Sequence, residues 1–313
     1  MRGRPEAGVR DGSRLASLAR AQDGVLTWAQ LVACGVGEAE VRRQLRRGAW
    51  VRLRRGAYLV DAGRESGRGA AVEARAVSLT TPGGVLAGGT AARLWGIQGA
   101  PEGAVEVTVP PTRPLRARSD MRPHTWALGA GDVTNLRGML VTSPARTLLD
   151  VVPAVDRPTA LAVIDSALRS GLLTAAGLEV LRLRATGRPG AAHVADLWLR
   201  GDPRAESVLE SRVRLRCLDG GLPPDDLQVE VRDQDGRVLA RVDLAYRTRS
   251  RGRGRGLLLV EADGAAVHAG PEAVFADRTR GNGLTALGHD MVRFTWRDTL
   301  DPHRIPRSIR ASL

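Results

Sequence analysis

The sequence predicts a multidomain protein of mixed α+β and α/β class. The chain has 313 residues, enough for two or three domains that each bury a core. Short helices and a hairpin are predicted near the N-terminus, whereas apolar strands alternate with helices near the C-terminus. The two cysteines, Cys34 and Cys217, lie in apolar contexts and are expected to be buried thiols. The N-terminus lacks the pattern of a signal peptide, and no apolar run has the about 18 residues that a membrane span requires. We therefore expect a cytoplasmic protein with no membrane partner.

The charge of the chain favours a polyanionic partner. All 47 basic residues are arginine, and the formal net charge is +13. Neutralisation of phosphates with release of counterions drives much of the affinity of proteins for nucleic acids. A GC-rich genome would explain arginine in place of lysine, but it would not explain the excess of positive charge. We therefore expect DNA as a partner.

Residues 1–65 have the pattern of a winged helix-turn-helix. Thr27–Gln30 fits a capping box that begins a short helix, and a second helix follows from about Glu38 to Arg47. Trp50–Arg54 and Ala57–Val60 read as a hairpin. In this geometry the second helix enters the major groove and the wing contacts phosphates. The predicted DNA-binding residues are Arg42, Arg43, Arg46, Arg47, Arg54 and Arg55, although an arginine-rich helix face that is merely solvated has the same pattern.

This segment also resembles the winged-helix domain of AbiEi-type antitoxins from type IV toxin–antitoxin systems. The resemblance rests on Gly24–Thr27, Gln30–Leu31, Val41–Arg43 and Arg47–Tyr58. It extends into a predicted α/β middle region at 66–150, through Val85–Gly96, Val105–Val109 and Thr142–Asp150. A helical connector is predicted at 151–200. The resemblance implies DNA binding and a cognate toxin protein as a possible partner, but the same domain is also attached to proteins that are not antitoxins.

Residues 201–313 are predicted to form strands that bring carboxylates together. Asp243 and Glu261 lie equally far from position 252, so a symmetric hairpin places them side by side. Glu261 and Asp263 share one face because side chains alternate along a strand. Opposed like charges destabilise a sheet. The pair therefore indicates a bound cation or an arginine.

The same region resembles a domain of unknown function that is similar to very-short-patch-repair (Vsr) endonucleases, in the restriction-endonuclease-like PD-(D/E)XK superfamily. The residues that carry the resemblance are Glu206–Glu210, Asp243, Val260–Gly264, His268, Asp277–Arg280, Asn282, Leu284, Gly288 and Val292–Phe294. The resemblance implies a central mixed sheet flanked by helices. It also implies DNA cleavage that depends on Mg²⁺, or on Mn²⁺ in its place.

By resemblance, each candidate catalytic residue receives a role. Asp243 and Glu261 occupy metal-binding positions, and Asp263 replaces the superfamily lysine as a third metal ligand. His268 would position or activate water, and Arg280 would stabilise phosphate charge. Because the chain contains no lysine, His268 or Arg280 would have to supply the electrostatic role of that residue.

Several of these residues have structural alternatives. Glu210, an accessory candidate, would serve equally well as the carboxylate of a capping box. Asp277, the other accessory candidate, would form an ion pair with Arg280 within one helix. Asp263–Gly264 reads as a turn, and His268 reads as an ordinary loop residue.

Three functions are consistent with the sequence. The leading hypothesis is a DNA-binding protein with a metal-dependent endonuclease domain, which would act in phage defence or a toxin–antitoxin setting. The alternative is a non-catalytic transcriptional regulator or antitoxin in which the nuclease fold is a binding module. A third possibility is an antitoxin that acts with a separate toxin.

Overall fold

The structure is a computed structural model that describes residues 11–60, 69–112, 114–249, 255–264 and 271–313. The chain forms two compact units. Unit 1 comprises Met1–Gly96 and Ala100–Val151, and unit 2 comprises Ile97–Gly99 and Val152–Leu313. Within the described residues, no helix combines the length and the apolar character that crossing a bilayer demands. The division into four domains, at 1–65, 66–150, 151–200 and 201–313, stays a prediction.

The first part of unit 1 has the element order of a winged helix, namely α1 (Gly12–Ala21), β1 (Val25–Thr27), α2 (Trp28–Ala33), α3 (Glu38–Arg46), β2 (Trp50–Arg54) and β3 (Ala57–Val60). The strands form an antiparallel sheet in the order β1-β3-β2. Thr27 begins α2 with a reciprocal capping box, in which its Oγ1 accepts the N–H of Gln30 and Gln30 Oε1 accepts the N–H of Thr27. Buried Leu26, Leu31 and Val41 pack the helices onto the sheet. The predicted helix, turn, helix and hairpin are therefore confirmed.

The remainder of unit 1 is a second α/β layer, comprising α4 (Ala70–Thr80), β4 (Val85–Leu86), α5 (Gly88–Leu94), β5 (Val105–Thr108), β6 (Met121–His124), β7 (Val133–Leu136), β8 (Met139–Thr142) and α6 (Pro144–Val151). Its five strands lie in the order β6-β5-β4-β8-β7 and form a mixed sheet. Buried Arg146 binds Asp150 on α6 and Asp132 directly before β7, so the charge has two carboxylate partners. This pairing stabilises the end of the sheet, because a buried charge is tolerated only when it is paired.

Unit 2 begins with helices and short 3-10 turns. The helices are α7 (Arg157–Arg169) and α8 (Ala175–Ala185), and the turns are Val152–Ala154, Ala192–Val194 and Leu197–Leu199. A third helix, α9 (Val208–Asp219), packs on α7. Buried Arg214 of α9 donates to both carboxylate oxygens of Asp165 on α7, each at 2.8 Å. The ion pair therefore fixes α9 against the helical part of unit 2.

The rest of unit 2 is a four-stranded mixed sheet flanked by helices, as predicted. Its elements are β9 (Asp226–Arg232), β10 (Val238–Arg249), β11 (Arg255–Ala262), α10 (Pro271–Ala286), β12 (Asp290–Phe294), a 3-10 turn (Trp296–Leu300) and α11 (Arg304–Ser312). The order is β12-β11-β10-β9; within this sheet β11 and β12 are parallel, and the other described pairs are antiparallel. Helices α9 and α11 cover one face, and α10 covers the other.

Two glycines, Gly281 and Gly283, lie within α10, which continues through both to Ala286. An added Cβ on Gly283 would lie 2.9 Å from Cδ2 of the partly buried Leu239. A side chain at this position would therefore require the Leu239 side chain to shift.

Candidate functional site

Helix α3 of the winged helix presents its arginines to solvent. Gly35, with a φ of 73°, turns the chain after α2, and α3 begins three residues later. Val41 faces the core, whereas the predicted DNA-binding residues of this segment are all exposed, namely Arg42, Arg43, Arg46 and Arg47. The amphipathic pattern of the helix therefore places its positive charge outward.

These four arginines differ in their partners. Arg42 is ion-paired with Glu38 at 2.5 Å, and Arg43 is ion-paired with Glu40. Arg46 and Arg47 form no ion pair with any described residue. The C-terminal end of α3 therefore carries the net positive charge, while the first two turns balance theirs internally.

The wing separates two arginines that the sequence analysis treated alike. Arg55 is exposed at the turn between β2 and β3. The side chain of Arg54 is only 10% exposed, lies 3.6 Å from the carboxylate of Asp120, and contacts Sδ of Met121. The side chain of Arg54 therefore joins the wing to the second sheet of unit 1, and its contact with DNA phosphates stays a prediction.

Arg54 turns inward because β2 has a β-bulge between Arg52 and Arg54, which interrupts the regular pairing of β2 with β3. A bulge changes the direction of the side chains that follow it, so Arg52 is exposed while Arg54 turns inward. Arg52 was missed as a DNA-binding candidate. A strict alternation of side chains would have placed the two arginines on one face, and no turn signal in the sequence marks the bulge.

A basic cavity of about 360 Å³ lies beside the wing in unit 1. Arg54 and Arg55 line it from the wing, and Arg116 and Arg118 line it from the segment before β6. Arg55, Arg116 and Arg118 are exposed. The positive surface of the wing is thus continuous with part of the middle region; Arg113 lies outside the described residues.

The predicted carboxylates of unit 2 converge on the central strand β10. Leu244 pairs with Val260, so Asp243 is level with Glu261 one position further along. This is the register that a hairpin symmetric about position 252 predicts. Oδ2 of Asp243 accepts the N–H of Ala262 at 2.7 Å.

A glutamine that the sequence analysis missed completes this cluster. Gln228 on β9 lies level with Asp243 on its other side and donates its amide to Oε2 of Glu210 at 2.8 Å. Its φ of 54° is unusual for a residue with a side chain, and such a conformation costs about 1 kcal/mol or more. The fold around Asp243 therefore holds Gln228 in a strained conformation.

Glu210 does not form the predicted capping box. Its amide N–H does donate to Oγ of Ser207, which begins α9. Its carboxylate, however, accepts the N–H of Glu206 rather than that of Ser207, as well as the amide of Gln228. Glu210 therefore belongs to the carboxylate cluster, consistent with its prediction as an accessory residue.

Burial raises the pKa of Asp243 to about 6. The nearby carboxylates of Glu210 and Glu261 raise the pKa further, whereas the hydrogen bond from the N–H of Ala262 lowers it. A cluster of acids in which one holds its proton more tightly than normal is typical of functional sites, although structural networks also produce it.

Glu261 is bound by two arginines. Arg280 of α10 donates from Nη1 to Oε1 at 2.8 Å and from Nη2 to Oε2 at 3.2 Å. Arg293 of β12 donates from Nε to Oε2 at 2.9 Å. Arg280 was predicted as a ligand for phosphate, whereas Arg293 was not among the predicted site residues. In the structure Arg280 binds the predicted catalytic glutamate itself.

The described residues do not fit a Mg²⁺ site. No three of the described histidine, cysteine, aspartate and glutamate side chains are grouped so that they could hold a metal. Asp263 lies beyond the end of β11 and is exposed, so the predicted ligand set of Asp243, Glu261 and Asp263 is not assembled. Both oxygens of Glu261 are occupied by arginines. His268 and the side chain of Asp277 lie outside the described residues.

Known proteins resemble parts of this chain. Residues 13–60 match the family described as "Transcriptional regulator, AbiEi antitoxin", and residues 83–197 match the "AbiEi antitoxin C-terminal domain". Two uncharacterized proteins of Mycobacterium tuberculosis, Rv2248 and MT2308, are each 33% identical over 204 residues, which cover 65% of this chain and 71% of theirs. The crystal structure of Rv2827c from the same species aligns with 66% of this chain and 83% of its own, at 19% identity and a TM-score of 0.39.

The two matched ranges end before the four-stranded sheet of unit 2, so the resemblance of that part to Vsr endonucleases stays a prediction. The winged helix, by contrast, lies within the first matched range. By these ranges and by its 33% identical relatives, the chain belongs to the AbiEi antitoxin family of transcriptional regulators.

Proposed function

We propose that this protein is a DNA-binding transcriptional regulator of the antitoxin type, and that α3 and the wing form its DNA interface. The observation that carries the proposal is the exposed basic surface of the winged helix. Arg46 and Arg47 at the end of α3 and Arg52 and Arg55 on the wing are all exposed. An exposed arginine without a local counterion is well suited to bind a phosphate, because no existing pair must be broken.

Base recognition falls to the N-terminal part of α3 in this proposal. In helix-turn-helix proteins the first turns of the recognition helix contact base edges. Arg42 lies there, and its exposed pair with Glu38 is of a kind worth about 0–1 kcal/mol. Arg42 can therefore exchange its contact with Glu38 for the O6 and N7 atoms of a guanine at little cost in free energy. The new contact would distinguish guanine from the other bases.

The test is a titration of the full chain with two fluorescent duplexes, one from the promoter region of its own gene and one with the same bases scrambled. Affinity is measured at several salt concentrations for the wild type and for the double variant Arg46→Gln/Arg47→Gln. Each lost phosphate contact reduces the slope of log K against log salt by about 1, so the double variant is expected to lose about 2. The matched control is Arg237→Gln/Arg307→Gln, which removes two exposed arginines from unit 2.

Equal loss of affinity in the control variant would show that net charge, rather than the winged helix, drives binding. Equal affinity of the wild type for both duplexes would rule out sequence-specific regulation and would show that the protein binds DNA only nonspecifically.

We propose a cognate toxin as the second functional partner, because both matched ranges belong to an antitoxin family. Expression of the neighbouring gene product, with and without this protein, in a host that lacks both tests the proposal. Restored growth supports antitoxin activity. Restoration that survives Arg46→Gln/Arg47→Gln would show that neutralisation does not need DNA binding.

Phosphodiester hydrolysis by unit 2 is a second candidate function. The convergence of Glu210, Asp243 and Glu261 and the strained backbone of Gln228 favour it. The arginines bound to Glu261 oppose it. Incubation of supercoiled plasmid with the protein in Mg²⁺ or Mn²⁺, alongside Asp243→Asn, tests this function; nicking that persists in the variant would point to a contaminating nuclease.

A further inference from the structure

We propose that unit 2 binds a small planar organic anion, of the aromatic carboxylate class, in a cavity at the C-terminal end of α8. The cavity has a volume of about 330 Å³. Arg182, Arg188 and Trp198 line it together with small side chains. Its volume lies at the lower end of the range for small-molecule sites, about 300–1,000 Å³, which suits a ligand of one or two fused rings.

Small side chains and one indole line much of the cavity. Ala185, Ala191, Ala192 and Ala195 contribute only methyl groups, and Trp198 lies beside them. The loop after α8 is held by a close approach, since a Cβ on Gly190 would lie 2.2 Å from the carbonyl oxygen of Pro153. Methyl groups beside an indole leave a space that fits a flat ring better than a branched chain.

Trp198 also supplies an unsatisfied donor. The residue is 3% exposed, and its indole Nε1 has no hydrogen-bond acceptor among the described residues. A buried donor without an acceptor is costly, and tryptophan in native proteins usually has a partner. A ligand with a carboxylate would supply that acceptor.

The charge around the cavity favours an anion. Arg182, Arg184 and Arg188 lie between two acidic residues, Glu179 and Asp196, whose carboxylates are ion-paired with arginines. The last turn of α8 exposes carbonyl groups that disfavour an anion, and the arginines there outweigh that effect. Arg182 is ion-paired with Glu179 on the helix surface, an exposed contact that a ligand carboxylate would replace. Arginine is the side chain best suited to hold a carboxylate with two parallel hydrogen bonds.

The test is isothermal titration calorimetry of the full chain with benzoate and with indole-3-carboxylate. Benzamide and indole-3-carboxamide serve as neutral probes of the same shape. The proposal predicts saturable binding of at least one acid at millimolar or lower concentration and at least tenfold weaker binding of its amide. Failure of both acids to bind, or equal binding of acid and amide, would overturn it.

Two variants locate the site. Ala195→Leu fills the cavity from an exposed position, and Arg188→Gln removes one of its charges. Each is expected to weaken binding about tenfold or more. Arg184→Gln is the matched control, because Arg184 lies on the same segment but does not line the cavity. An equal loss in the control would place the anion elsewhere on the basic surface. Because the readout is binding of a small molecule, a negative result leaves the proposed DNA interface untouched.

Discussion

Arg280 binds both carboxylate oxygens of Glu261, with nitrogen–oxygen distances of 2.8 and 3.2 Å. The pair joins α10 to the end of β11, and Arg293 on β12 donates to the same carboxylate. The sequence predicts repulsion between the adjacent carboxylates of Asp243 and Glu261. Arg280 and Arg293 relieve this repulsion, because they neutralise the charge of Glu261. Glu210 and Asp243 have no ion-pair partner among the described residues. Within the described residues the negative charge of Glu261 is therefore neutralised by arginines, whereas the carboxylates of Glu210 and Asp243 are not ion-paired.

Substitution of Arg280 is expected to destabilise unit 2. Arg280→Gln removes the two-nitrogen contact from a glutamate whose side chain is 13% exposed, and we expect a loss of about 1–2 kcal/mol in the free energy of unfolding. Urea denaturation followed by circular dichroism measures the loss. Arg278→Gln, an exposed arginine on the same helix, is the control and is expected to change stability by less than about 0.5 kcal/mol. Equal effects would mean that the ion pair contributes nothing.

Mg²⁺ is expected to leave the Tm of the wild type unchanged, because Glu261 is already bound by arginines. In the double variant Arg280→Gln/Arg293→Gln, the two arginines no longer compete with a cation for the carboxylates of Glu210, Asp243 and Glu261. We expect Mg²⁺ to raise the Tm of this variant, since a ligand that binds only the folded state stabilises it. Differential scanning fluorimetry with Mg²⁺ and with EDTA measures both. A rise for the wild type would contradict the poor fit of its donors.

Asp243 is expected to lower stability at neutral pH. Burial raises its pKa from 3.8 to about 6, so the folded state binds a proton more tightly than the unfolded state. Stability therefore falls as the pH rises from about 4 to about 6 and then stays lower. Asp243→Asn should stabilise the protein at about pH 7 by on the order of 1–2 kcal/mol, after allowance for solvent screening, and the gain should vanish below about pH 4. Asp235→Asn, in an exposed turn, is the control. A gain independent of pH would show that charge is not its cause.

His289 is expected to have the opposite dependence. Its Nδ1 accepts the N–H of Leu257 at 3.1 Å, which requires the neutral ring, and burial lowers its pKa below the ordinary 6.5. The unfolded state then binds the proton more tightly, so this contribution is present above 6.5 and is lost as the pH falls. His289→Asn keeps an acceptor but cannot titrate. From about pH 7.5 to about pH 5.5 the wild type should lose about 0.5 kcal/mol more than the variant. If the free energies of unfolding of the wild type and of His289→Asn, measured by urea denaturation, depend on pH in the same way, His289 is not the cause of the loss.

The two wing arginines are expected to behave differently. Arg54→Gln should lower the free energy of unfolding by about 1–2 kcal/mol, since it removes a side chain packed on Met121. Arg55→Gln should change stability by less than about 0.5 kcal/mol but weaken DNA binding. Urea denaturation and DNA titration on the same preparations separate the two effects. The reverse pattern would show that Arg54, not Arg55, faces the DNA.

Local patterns predicted much of the fold. The capping box of Thr27 and Gln30, the N-cap of α9 at Ser207 and the register of Asp243 against Glu261 each depend on residues close in sequence or on the symmetry of one hairpin. The candidate site was predicted less completely. Gln228 and Arg293 were missed because their contacts cross between strands and helices whose relative positions no local pattern records.

The sequence by itself determined the winged helix and the convergence of Asp243 and Glu261, since periodicity, caps and turn residues act over a few positions. The mixed sheet of unit 2 was implied by the resemblance to Vsr endonucleases. Only the tertiary structure decided what those side chains contact. A bulge turned Arg54 inward, and the packing of α10 and β12 against β11 brought Arg280 and Arg293 to Glu261 over separations of 19 and 32 residues. Partners that distant in sequence are selected by the three-dimensional packing of whole elements, so a predicted metal ligand became one member of an arginine–carboxylate cluster.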